Sequence, residues 1–194
     1  MKRILTIGIT LLASLSLAAC SSDTSSSSKT SSNSSSKKEI GVTLSQYNSV
    51  KLGDNGTTKK QVKKMFGKAT IETETEVPGA TKKATQYSWN KVASSLKGAT
   101  VNVDFIDGVA VGKGYVSASI SHKISDAKYK AVQTGTTVKD VKKQLGTPEG
   151  ESISKIGSMN AQDLSYVQGT KSVSFSFMND KLVTKSKTDL SESN

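Results

Sequence analysis

Few side chains in this sequence could carry chemistry. His122 is its only histidine and Cys20 its only cysteine. A single imidazole excludes His-pair metal sites and most acid–base schemes. Serines are abundant, but no Gly-x-Ser-x-Gly elbow, P-loop or dinucleotide fingerprint contains them. Nothing in the spacing favours a lysine–serine dyad. Glu72, Glu74 and Glu76 alternate along one stretch. A calcium site needs oxygens converging from a loop, so these read as the charged outer face of a strand. The expectation is a chain that is not an enzyme, with no cofactor, no metal and no small-molecule substrate. His122 reads as a solvated residue between two similar segments.

Cys20 carries the one clear modification signal. Lys2 and Arg3 form a positive n-region, residues 4–17 an apolar run, and Leu17-Ala18-Ala19 lead to Cys20. The run is too short for a membrane span, which needs about 20 apolar residues, and reads as a secretory signal. Small residues before a lone cysteine resemble the bacterial lipobox. That resemblance implies acylation of the Cys20 thiol (palmitate or a similar chain) and cleavage just before it. With that thiol taken, no disulfide can form even in an oxidising compartment. A diacyl anchor holds far better than one chain, at about 0.8 kcal/mol per buried methylene.

A tether follows. Eleven of the sixteen residues at 21–36 are serine and none is apolar. Such a stretch cannot bury enough surface to fold, and its reach as a coil is roughly 20–25 Å. The expected location is the cell membrane, lipid-anchored on the extracytoplasmic face. A long Ser/Lys tether is more typical of Gram-positive envelopes.

Charge narrows the partners. The formal net charge is +11, of which Lys2 and Arg3 contribute two, and Arg3 is the sole arginine. Phosphate and base recognition lean on arginine forks, which the rest of the chain lacks. No nucleic acid is expected as a partner; the aromatic interleaving that binds single strands is also missing. Diffuse attraction to teichoic acid or lipid headgroups needs only lysine.

Positioning falls to an internal repeat. Tyr47 and Val50 match Tyr129 and Val132, Gly56-Thr57-Thr58 matches Gly135-Thr136-Thr137, and Val62-Lys63-Lys64 matches Val141-Lys142-Lys143. Gly67 matches Gly146, and Val101, Val103 and Phe105 match Val173, Phe175 and Phe177. Each copy opens with a short helical turn and a better helix. Thr58 with Gln61, and Thr137 with Asp140, predict N-caps. Val62 and Phe66, and Val138, Val141 and Leu145, form the buried stripes. Gly67 and Gly146 predict left-handed C-caps. Strands are expected at 70–77, 81–89, 100–106 and 109–116, then at 150–155, 162–167, 172–178 and 181–186. In the first, Ile71, Thr73, Thr75 and Val77 lie on one side and the glutamates on the other, where Lys82 and Lys83 face them.

The fold class is α+β, a tandem repeat in which each copy is a helical pair followed by an antiparallel sheet of about four strands. Tyr87 and Trp89 correspond to Leu164 and Tyr166, so Trp89 should pack against its helix. The opposite face carries Gln86, Ser88, Asn90, Asn102 and Asp104, then Asp163, Ser165, Val167, Ser174 and Ser176. It is polar and small-residued, with Ile106 and Met178 as apolar exceptions. One helical layer leaves such a second face solvated.

The pattern Tyr-x-x-Val, Gly-x-Thr, Val-Lys-Lys-x-(Phe/Leu)-Gly resembles the repeat of the beta-lactamase inhibitory protein-like superfamily. BamE (SmpA/OmlA)-type lipoproteins carry one such unit. The resemblance covers residues 44–187 and implies domains that bind other proteins and catalyse nothing. The inhibitor's concave face is aromatic and its fold carries disulfides; here that face is Ser/Asn/Asp-rich and no cysteine is left, so beta-lactamase inhibition is not implied. The expected organisation is a signal peptide at 1–19, the lipidated Cys20 and tether at 20–39, a first repeat at 40–120 and a second at 121–190. The expected function is a non-catalytic, membrane-anchored module binding an envelope or extracellular protein. It would do so through Gln86, Ser88, Asn90, Asn102, Asp104, Ser165, Ser174 and Ser176. The alternatives are a structural tether held on wall polyanions or headgroups by its lysines, and a phage exclusion lipoprotein.

Overall fold

The computed structural model describes residues 40–96, 98–117 and 123–189. Cys20, the segments at 1–19 and 20–39, and His122 lie outside the described residues. Helices α1 (Leu44–Ser49) and α2 (Lys59–Phe66) precede strands β1 (Ile71–Thr75), β2 (Ala84–Trp89), β3 (Thr100–Ile106) and β4 (Val109–Val116). Helices α3 (Asp126–Ala131) and α4 (Val138–Leu145) then precede β5 (Gly150–Ile156), β6 (Met159–Gln168), β7 (Lys171–Met178) and β8 (Lys181–Asp189). The strands form one antiparallel sheet in chain order, β1 through β8. No described helix is long and apolar enough to cross a membrane.

Local chemistry sets the helix limits. Thr58 and Gln61 form a reciprocal capping box, as do Thr43 and Gln46. The Thr137 hydroxyl accepts from the Asp140 backbone N–H. Gly67 and Gly146 close α2 and α4 at φ +82° and +90°, but with ψ −161°. That places both in the region only glycine enters freely, not in the expected left-handed helical basin.

Both helix pairs cover the same face of the sheet, and two apolar cores lie between. The first joins Val62 and Phe66 of α2 to Tyr87, Trp89, Val101, Val103 and Phe105. The second joins Val138, Val141 and Leu145 of α4 to Leu164, Tyr166, Val173, Phe175 and Phe177. Trp89 meets Phe66 edge-on at 5.1 Å, and its indole N–H donates to the Gly67 carbonyl at 3.2 Å. Tyr166 donates to the matching Gly146 carbonyl at 3.0 Å.

Two lysines do work that their residue type did not announce. The Lys113 ammonium on β4 donates to the carbonyls of Tyr47 (3.0 Å), Asn48 (3.4 Å) and Val50 (2.9 Å) at the end of α1. On β8, Lys185 donates to Tyr129 (2.9 Å), Lys130 (3.4 Å) and Val132 (2.7 Å) at the end of α3. Each lies over the tyrosine ring of its helix, at 4.8 and 4.6 Å. A six-residue helix has little stability of its own, and here a cation satisfies its orphan carbonyls from across the core.

Strand β1 corrects two expectations. Ile71 pairs with Ser88 and Thr73 with Gln86, so Ile71 and the threonines face away from the helices. Glu72 and Glu74 lie on the helix side, exposed because β1 is an edge strand with little cover. Lys83 stands 3.9 Å from Glu74, but Lys82 pairs with Asp107 at 2.8 Å instead. The strand also stops at Thr75 and β2 starts at Ala84, so 76–83 is connection rather than ladder.

Candidate surface on the open sheet face

The face turned away from the helices is built by register. The row Ile71–Ser88–Asn102–Gly114–Ser152–Asp163–Ser176 runs from β1 to β7 through directly opposed pairs. A second row runs Thr73–Gln86–Asp104–Gly112–Ser154–Ala161. A third runs Thr100–Val116–Gly150–Ser165–Ser174–Ser186. Gln86, Ser88, Asn102, Asp104, Ser165, Ser174 and Ser176 therefore share one face. Asn90 lies just past the end of β2, exposed at the rim, where it accepts from the Thr70 hydroxyl at 2.8 Å.

The centre of this face is β4 and β5, which sequence reasoning left out. Gly112, Gly114, Gly150, Ser152 and Ser154 make it shallow and free of side-chain bulk. The glycines are there for a reason: a Cβ on Gly112 would come 2.4 Å from the Asp104 carboxylate, and one on Gly114 2.8 Å from the Glu151 carbonyl. The Gly-Lys-Gly run at 112–114 was the available signal.

Two carboxylates stand on the face. Asp104 accepts from the Gln86 amide at 2.8 Å, and Asp163 accepts from the Ser176 hydroxyl. Partial burial raises both carboxyls above the ordinary aspartate value, opposed by those hydrogen bonds. Apart from Lys181 beside the β7–β8 turn, register puts no lysine here. The helix side carries the exposed cations Lys60, Lys63, Lys64, Lys139 and Lys143. Part of that lysine layer is packed: the Lys59 and Lys63 ammoniums lie 5.2 and 4.7 Å from the centre of the Tyr87 ring.

The open face is not solvated throughout, contrary to expectation. The β1–β2 connection folds over one end as a strap. Val77 is buried there with Ala84 and Val111, and Ala80, Ile106 and Ile156 pack around them. Gly79 presses on the Met159 methyl, where a Cβ would lie 1.8 Å away. Eight residues are long enough to double back, and the small Ala84 leaves room beneath. Val111 reaches this cluster through the register shift between Asp104 and Phe105. Val167, at the far end of β6, is buried beside the chain at Lys123 and Ile124, which bridges to it.

Comparison with known proteins bears on this architecture. The model of the beta-lactamase inhibitor (BLIP) family matches residues 54–168 and 125–194. The chain belongs to that family. A crystal structure of a candidate beta-lactamase inhibitor protein from Streptococcus mutans superposes with a TM-score of 0.57 at 20% identity. The match covers 74% of this chain and 93% of that one, and at this identity it speaks to the fold alone. No curated protein sequence matches the chain. Membership indicates a protein-binding module and is consistent with a chain that is no catalyst.

Proposed function

We propose that the chain is a lipid-anchored protein on the extracytoplasmic face of the cell membrane that holds a protein partner against its open sheet face. The carrying observation is the face itself. All eight strands contribute to its directly opposed rows, no described helix covers them, and an apolar strap walls one end. A partner can approach the backbone closely at Gly114, the half-buried glycine of the centre, and Asp104 and Asp163 offer acceptors. Gln86, Ser88, Asn90, Asn102, Asp104, Ser165, Ser174 and Ser176 are the residues assigned to contact. Family membership supports a protein rather than a substrate as the ligand.

The anchor rests on the sequence before the described residues: an apolar run, small residues and the sole cysteine, Cys20, followed by a serine-rich tether. The same reading gives a signal at 1–19, anchor and tether at 20–39, and repeats at 40–120 and 121–190. The paired caps, buried stripes and lysine locks at Lys113 and Lys185 support duplication of one unit. The likeness to BamE-type lipoproteins belongs to this reading and concerns the unit, not its task.

The test is cross-linking on intact cells followed by capture of the lipidated protein. One protein species joined through open-face residues is the expected result. Recovery of wall polymer alone, released by moderate salt, would favour the lysine-tether reading, because polyanion contacts weaken with ionic strength.

A further inference from the structure

The joint between the two halves is a strand pair, β4 with β5. It has five opposed pairs, from Gly112↔Ser154 to Val116↔Gly150. β1 holds the place in its half that β5 holds in the other, since Ile71 opposes Ser88 as Gly150 opposes Ser165. β8 holds the place of β4: Thr188 opposes Ser172 as Val116 opposes Thr100, and each strand shifts register once, beside Asp104 and Ser176 respectively. The joint thus has an unused counterpart at each end of the sheet, because β8 and β1 are the two edges.

We propose that β8 of one copy pairs with β1 of a second copy in the register of the β4–β5 joint. The register rests on the correspondence between halves given above. Transposed, it sets Lys187 opposite Glu72 and Lys185 opposite Glu74, all on the helix side, with Thr188 opposite Ile71 and Ser186 opposite Thr73. Lys185 stays with its α3 carbonyls, so the charge contact falls to Lys187, which Glu72 would share with Asp126 of the lysine's own chain, 2.8 Å away. Opposite charges directly across an antiparallel pair attract, whereas β1 on β1 or β8 on β8 would align like charges. Edge charges usually keep sheets apart; these two edges repel themselves and fit each other. Ile71 and Val183, 55% and 52% exposed, are two large apolar side chains carried on these same edges. The contact is head-to-tail, so it extends rather than closing as a two-fold dimer. Five opposed residue pairs make a small interface, so assembly should depend on concentration.

The test uses the full-length chain in mild detergent, as an equal mixture of ¹⁵N-labelled and unlabelled protein. A zero-length carbodiimide should join Lys187 of one label to Glu72 of the other. Sedimentation should show Glu72→Lys alone and Lys187→Glu alone to be monomeric, and their mixture to associate again. High salt should dissociate the parent. Melting curves check that each variant is folded; the mixed-label product needs no variant. Absence of any mixed-label product joining β8 to β1 would overturn the proposal, as would association that survives Glu72→Lys. If the product is absent while charges placed at Val62 and at Val141 destabilise alike, the assembly fails and the internal repeat stands.

Discussion

At the scale of single residues, Asp104 shows what the open face costs the fold. Its carboxyl is partly desolvated and leans over Gly112, with the Gln86 amide as its hydrogen-bond donor. Burial raises its pKa above the ordinary value of about 3.9. The folded state therefore binds this proton more tightly than the unfolded chain does. The destabilising contribution is full above the raised pKa and fades as pH falls through it. It is gone below the ordinary value. Asp104→Asn keeps an oxygen for Gln86 and buries no charge. The variant should melt about 2–4 °C above the parent at neutral pH, and the gap should shrink as pH approaches 4. Thermal melts across that window check it; a variant that melts lower at pH 7, or a gap that widens on acidification, would show that the carboxylate stabilises the fold.

Elements divide into those whose signals are local and those whose partners are remote. The helix caps, the apolar stripes and the β3–β4 turn at Asp107-Gly108 were legible because each is set within a few residues. The packing of Trp89 was legible from comparing the two halves. The strap was not: Val77 continues the alternation of β1, and nothing local shows that its contacts are Val111 and Ile156, far along the chain. The lysine locks were illegible for a related reason, since Lys113 sits 63 residues from Val50, whose carbonyl it satisfies. The candidate face was half legible; its β2, β3, β6 and β7 rows were read correctly, and its glycine centre was passed over. At this scale, the proposed duplication predicts equal behaviour of α2 and α4. Val62 and Val141 are both fully buried. Val62→Asp and Val141→Asp should each cost about 4 kcal/mol or more, because an unpaired charge enters the core. Denaturant titrations read this directly. A loss near zero for either would mean that its helix is dispensable to the core.

For the whole molecule, charge and attachment are distributed by side. The net charge is +11, and the lysines among the described residues lie mostly on the helices and their side of the sheet. The open face carries Asp104 and Asp163. A partner meeting that face is spared the lysine layer, so the contact should be less salt-sensitive than polyanion binding. Attachment is a separate matter and has a separate test. Cys20→Ser should move the protein from the membrane fraction to the medium, or leave an unprocessed precursor. Mature-size protein still in the membrane fraction would contradict a lipid anchor.

The binding face is the central claim, and one comparison tests it most directly. Captured partner is quantified from cells carrying the parent, Ser88→Arg with Ser174→Arg, or neutral replacements of Lys59, Lys60, Lys63 and Lys64, after each protein is shown to melt like the parent. The arginines put bulk and charge on two open-face strands without touching the core, and should reduce capture at least tenfold. Lysine neutralisation should leave capture within about twofold, the scale of exposed charge contacts. Full capture by the arginine pair, with loss on lysine neutralisation, would contradict the account.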